Sequence, residues 1–113
     1  MAVTTRDLAI SAGGSVDFVV DVVGGPPSLD GFTGEMMIRE LRDDPEVLAE
    51  VAPGDITVNS GLRQVRVRIP AAETSSYAWR RGVYDLKITG AGGDAWVLVQ
   101  GRITNLQAIT RED

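Results

Sequence analysis

The chain has 113 residues, eleven basic and sixteen acidic side chains, and a formal charge of −5. One domain spanning residues 1–113 is the natural expectation for this length. With no cysteine and no histidine, disulfides, thiolate chemistry and Ser–His–acid catalysis are excluded. A zinc site lacks its usual ligands, and the acidic balance argues against nonspecific polyanion binding.

The start, Met1 to Asp7, lacks the apolar stretch of a signal peptide. No window approaches the roughly twenty apolar residues of a membrane span. Synthesis in the cytoplasm and no membrane partner are therefore expected.

In chain order, a short strand is expected from Asp7 to Ser11, pairing in an N-terminal hairpin with Val16 to Val23. The second segment alternates: Val16, Phe18, Val20 and Val22 share one face, while Asp17, Val19, Asp21 and Val23 share the other. That period of two in a β-branched run is a strand signature. Gly13–Gly14 and Gly24–Gly25–Pro26–Pro27 bracket it as breakers. Glu35 to Leu41 reads as the next strand, with Met36 and Ile38 facing the core, although its Met, Glu and Leu also suit a helix. Asp43 to Glu50 is open between a short helix near Pro45 and a loop with an edge strand.

Pro53–Gly54–Asp55 is a turn by composition. Asp55 to Ile69 reads as a hairpin turning at Ser60–Gly61, its second strand burying Val65, Val67 and Ile69 and exposing Arg66 and Arg68. Ala71 to Trp79 is a connector with room for one helical turn. Val83 to Thr89 and Ala95 to Ile103 form a second hairpin across the glycine-rich turn Gly90 to Asp94. In it Tyr84, Leu86 and Ile88 point inward. Trp96 and Leu98 share one face, and Val97 and Val99 the other. Leu106 to Ile109 is a candidate closing strand. About seven short strands with regular turns indicate an all-β fold, a two-sheet sandwich or small barrel. Phe18, Val67, Tyr84, Leu86, Ile88 and Leu98 should form the core.

Features that mimic chemistry have plainer readings. Gly90 to Gly93 is followed by Asp94 and a strand, whereas a phosphate loop needs a Gly-Lys-Ser/Thr or a helix N-terminus. The acids Glu40, Asp43, Asp44 and Glu46 lack the calcium-hand pattern and read as a solvated loop. The hydroxyls of Thr33, Thr74, Ser75 and Ser76 have no histidine to activate them, and Lys87, the only lysine, falls on a polar strand face. No catalytic, metal or cofactor residue is assigned.

Interface chemistry remains. Arg66 and Arg68 make a basic stripe without interleaved aromatics, which disfavours nucleic acid. Those arginines could instead pair with Asp17, Asp21 or Asp85 of a neighbour. Tyr77 and Trp79 are core plugs or interface anchors. Val97 and Val99 exceed what one sandwich core requires. The candidate interface residues are thus Arg66, Arg68, Tyr77, Trp79, Val97 and Val99.

The order of segments resembles small structural proteins of tailed bacteriophages, above all the immunoglobulin-like N-terminal modules of baseplate and tail-fibre proteins. The likeness rests on Leu8 to Ile10 and Gly13–Gly14 leading into Val16 to Val23, then Phe32–Thr33–Gly34 before Ile38–Arg39. It continues through Ala71–Ala72–Glu73–Thr74 and Gly82–Val83–Tyr84–Asp85–Leu86, then Trp96 to Gly101 and the ending Ile109–Thr110–Arg111. The stretch Asp43 to Pro53 departs most from the pattern. The resemblance implies an immunoglobulin-like two-layer antiparallel β-sandwich. It implies a non-enzymatic component of the virion that docks onto other virion proteins at the tail, baseplate or fibre attachment, as a homo-oligomer or within a symmetric assembly. The alternatives are a carbohydrate-binding or adhesin-like sandwich, which would need exposed aromatics on a groove, and a sandwich with another cellular role.

Overall fold

The computed structural model describes residues 4–107. Its strands are β1 (Thr4–Thr5), β2 (Leu8–Ala12), β3 (Val16–Asp21), β4 (Thr33–Arg39), β5 (Ala49–Glu50), β6 (Ile56–Asn59), β7 (Gln64–Ile69), β8 (Arg81–Thr89) and β9 (Ala95–Gln107), with a 3-10 turn (Pro53–Asp55) before β6 and an α-helical turn, α1 (Ala71–Thr74), before β8. The protein is all-β, in two separate sheets. One runs β1-β9-β8-β4-β5 with β2 also on β9; the other runs β3-β7-β6.

Both expected hairpins are present. β6 and β7 pair antiparallel from Ile56↔Val67 to Asn59↔Gln64, and β8 and β9 pair from Arg81↔Thr104 to Thr89↔Ala95. The β6–β7 loop closes when Asn59 Oδ1 accepts the Leu62 N–H at 3.0 Å and Arg63 takes the left-handed region at φ 50°. Alternation buries one side of each longer strand. Phe18, Val67, Tyr84, Leu86, Ile88 and Leu98 are all buried, as are Met36 and Ile38, and both sheets contribute to one cluster.

Three expectations change. First, β2 and β3 are not a hairpin. β2 pairs parallel with β9, from Leu8↔Ile103 to Ala12↔Gln107, and β3 pairs antiparallel with β7. The larger sheet is therefore mixed rather than antiparallel. The cause lies at the crossing, where Gly13 adopts φ 87°. The buried Thr74 hydroxyl accepts the Gly13 N–H at 3.1 Å and donates to the Gly14 carbonyl at 2.8 Å. A side chain from α1 thus satisfies the turn that a ladder would otherwise close, and Ile10 enters the core from the other layer.

Second, the register of β8 and β9 slips between Leu86↔Val99 and Lys87↔Val97. Leu98 is the extra residue of a bulge, so Leu98 and Val99 are both buried, at 2 % and 1 % exposure. A bulge re-aims every later side chain. Strict alternation therefore put Val99 on the wrong face. Third, the outer strand expected at Leu106 to Ile109 begins as the end of β9, while residues 108–109 lie outside the described residues, as does the ending 109–111.

The ambiguous Asp43 to Glu50 segment is a loop with a short edge strand. Asp44 Oδ1 accepts the Glu46 N–H at 3.0 Å, bending the chain around Pro45, and β5 then adds to β4 through Met37↔Glu50 and Ile38↔Ala49. The molecule measures 46 × 29 × 21 Å. Strand directions gather the loops at residues 22–32, 60–63 and 90–94 at one end. The β2–β3 turn, the loop at residues 40–48 and the α1 connector lie at the other.

Candidate docking site

The second end holds the aromatic residues of interest. After α1, the connector runs extended into β8 and is tied to the end of β9. The Asn105 N–H donates to the Arg80 carbonyl at 2.8 Å, and Asn105 Nδ2 donates to the Trp79 carbonyl at 2.8 Å and the Tyr77 carbonyl at 3.4 Å. Asn105 is itself buried, at 3 % exposure. Two residues apart on extended chain, Tyr77 and Trp79 project the same way. Their ring centroids lie 5.3 Å apart with planes tilted by 31°.

Both rings are half-buried and pack on the edge of the core. Across from them stands Leu48. Together they line two adjoining depressions that share Leu48 and Trp79, one continuing to Glu50 and Glu73, the other to Leu41, Arg80 and Arg81. Leu41 is 67 % exposed at the rim. The Trp79 indole N–H is buried with no hydrogen-bond partner among the described residues. The Tyr77 phenol is held above its usual range, first by burial and then by the Glu73 and Asp55 carboxylates, so it stays neutral and can donate. An aromatic–aliphatic floor with a charged rim is the make-up of a protein-contact hot spot.

The other candidate residues do not join this groove. Arg66 and Arg68 lie on the outer face of the three-stranded sheet. Arg66 is already engaged within the chain, its Nε and Nη2 donating to the two Asp17 carboxylate oxygens at 2.9 and 2.6 Å. Pairing of Arg66 with Asp17 of a neighbour is therefore replaced by a pair inside one molecule, diagonal across β3 and β7. That hydrogen bond holds the Asp17 carboxyl below its ordinary value. Arg68 beside it is exposed and makes no ion pair among the described residues. Val97 is half-buried on the outer face of the six-stranded sheet, opposite Lys87. Val99 lies inside and offers a neighbour no surface. Arg66 and Arg68 thus share the outer face of the three-stranded sheet, Tyr77 and Trp79 share the groove, and Val97 and Val99 belong to neither.

Sequence reasoning missed Leu41 and Leu48. Leu41 read as the last residue of a strand, but β4 stops at Arg39 and Leu41 turns outward; Leu48 sat in the undecided stretch. Also missed were the pins. Besides Thr74 and Asn105, the Arg63 guanidinium donates to the carbonyls of Gly24, Pro26 and Pro27 at 2.8, 3.0 and 3.3 Å. No local pattern announces a side chain whose partners lie 26 or more residues away.

The side chains that could suggest chemistry are occupied. Ser75 and Ser76 hydroxyls donate to the Ala71 and Glu73 carbonyls, and Lys87 sits 3.8 Å from Glu35. Among the described residues no group of three or more acids, histidines or cysteines is placed to hold a metal. No helix among them is long and apolar enough to cross a membrane. No family model matches the chain, and no curated protein matches it significantly.

Proposed function

We propose that this chain is an immunoglobulin-like β-sandwich module acting as a non-enzymatic structural component of a tailed-phage particle, docked onto a neighbouring virion protein at the tail, baseplate or fibre attachment. The observation that carries the docking part is the Tyr77–Trp79–Leu48–Leu41 groove. Such a cluster gains most when a partner removes it from water, at about 25 cal/mol per Å² of apolar surface, less the cost of immobilising two bodies. Repetition around a symmetric particle strengthens a contact that is weak in one copy.

Strand order supports the immunoglobulin-like part. β3-β7-β6 matches the B-E-D half of that sandwich, and β4, β8 and β9 match C, F and G. The N-terminal strand then lies on the last strand instead of on B. The resemblance of segment order to baseplate and fibre modules supplies the setting. A carbohydrate-binding role is less well supported, because the two rings are tilted and half-buried rather than presented as a flat platform.

The test is peptide mass spectrometry of gradient-purified particles. The chain should be present at a fixed ratio to other particle proteins. Its absence from particles while it is abundant in the infected lysate overturns the proposal.

A further inference from the structure

We propose that the N-terminal strand, Thr4–Ala12, is exchangeable, and that the slot it fills on β9 takes the same strand from a second copy of this chain. The inference deepens the assembly reading by naming a neighbour, and rests on that reading only for its setting.

The slot is a built feature. Opposite Tyr84 in the β8–β9 ladder stands Gly101, and a Cβ there would collide with the Arg6 carbonyl. Glycine therefore leaves the space in which the N-terminal chain lies against β9. The Tyr84 hydroxyl reaches across to donate to that same carbonyl. The Arg6 N–H donates to the Gln100 carbonyl at 2.9 Å, and the Arg102 N–H donates to Asp7 Oδ1 at 3.0 Å. Ile10 is buried in the core and Leu8 half-buried against it. The Arg6 guanidinium lies 5.5 Å from the centroid of the Phe18 ring.

The segments that form the slot follow the strand by some 70 to 100 residues, and the strand makes no ladder with β3, its neighbour in sequence. All these contacts are re-made unchanged if the strand comes from another copy. What differs between the closed and exchanged forms is the link Gly13–Gly14–Ser15. Two glycines let that link straighten without side-chain strain, and exchange of an identical element is a low-cost route to association.

One side chain opposes it. The Thr74 hydroxyl, fully buried, holds the Gly13 N–H and the Gly14 carbonyl in the closed turn. Thr74 is thus a latch. It favours the closed monomer in dilute solution, while the high local concentration of an assembly favours exchange.

The absence of cysteine makes the test direct. Ala9 and Thr104 are register partners, as are Ser11 and Leu106. Single variants Ala9→Cys and Thr104→Cys are mixed, equilibrated under reductant across a concentration series, then oxidised. A second mixture uses Ser11→Cys and Leu106→Cys. The matching double variants, which can close the bond within one chain, calibrate the yield.

Exchange gives mixed disulfide dimers in excess over like–like dimers. The excess grows with concentration and grows several-fold further when both partners carry Thr74→Val. Mixed dimers no more abundant than like–like dimers, with and without Thr74→Val, overturn the proposal. If the chain is nevertheless found in particles, the assembly reading stands without exchange. If exchange occurs and particles lack the chain, exchange stands and the assembly reading falls.

Discussion

The two ends of the molecule solve the same problem differently. At the end formed by residues 22–32, 60–63 and 90–94, loops are held by their own hydrogen bonds: Arg63 gathers three carbonyls of the Gly24–Pro27 loop, and the Leu29–Phe32 turn closes through the Phe32 N–H to the Leu29 carbonyl. Its large exposed apolar groups are Val23 and Leu62, at loop tips. At the opposite end, Asn105 and Thr74 fasten the α1 connector from inside, and the outward side of that connector is aromatic. The buried polar pins leave Tyr77, Trp79 and Leu48 facing a depression that no other described residue fills. Loops pinned by the half-buried Arg63 are held from the polar side of the chain. A connector pinned from beneath presents a rigid apolar surface, which lowers the ordering cost of binding.

That contrast can be broken or sharpened by mutation. Leu86→Ala should have the largest effect, because Leu86 is fully buried between the two ends. A cost of about 3–4 kcal/mol is expected, with both ends unfolding in one transition by denaturant titration followed by two probes. Separate transitions would mean that the ends do not share one core. Asn105→Ala comes next. It strands the Tyr77 and Trp79 carbonyls near the core, at about 2 kcal/mol, and the tryptophan fluorescence of the native state should change as the connector loosens.

Tyr84→Phe should cost about 1 kcal/mol through the lost bond to the Arg6 carbonyl, and it carries a pH signature. Burial pushes the Tyr84 phenol up to about 12, against about 10 in the unfolded chain. Above pH ~10 the unfolded chain loses this proton first. The stability tied to this group is therefore full below ~10, falls as pH rises toward 12, and levels off beyond. The loss amounts to at most ~2–3 kcal/mol. Urea midpoints measured from pH 9 to 12 should fall more steeply in the wild type than in Tyr84→Phe. Parallel curves would show that the phenol is not protected. Arg63→Ala, at the other end, should cost under about 1 kcal/mol, because the freed carbonyls reach water.

What the sequence revealed follows the same division. The β6–β7 and β8–β9 hairpins were readable because their strands alternate and their turns are local: Ser60–Gly61 and Gly90 to Asp94 carry the signal within a few residues. Burial of Phe18, Val67 and Leu86 followed from that alternation. Alternation could not foresee the bulge at Leu98, since a register slip depends on what lies across the ladder, and so Val99 was assigned outward. The N-terminal hairpin failed for a related reason. Gly13–Gly14 suits a turn equally well whether the chain doubles back in one sheet or crosses to the other, and the deciding group, Thr74, lies some sixty residues on. Of the proposed docking surface, Tyr77 and Trp79 were legible as aromatics in a connector. Leu41 and Leu48 were not, because only the folded loop at residues 40–48 brings them alongside.

The smallest expected effect on stability leads to the most direct test. Leu41 is 67 % exposed, so Leu41→Asp should leave the unfolding midpoint within about 0.5 kcal/mol while placing a carboxylate in the groove. Particles assembled in a host supplying only the Leu41→Asp chain should contain at least about ten-fold less of it than wild-type particles, the factor that about 1.4 kcal/mol at one contact provides. Cryo-electron microscopy of wild-type particles should find Leu41, Leu48 and Trp79 covered by a neighbouring protein. Wild-type levels of the Leu41→Asp chain in particles, with the groove open to solvent in the particle map, would contradict the assignment of this end as the docking surface.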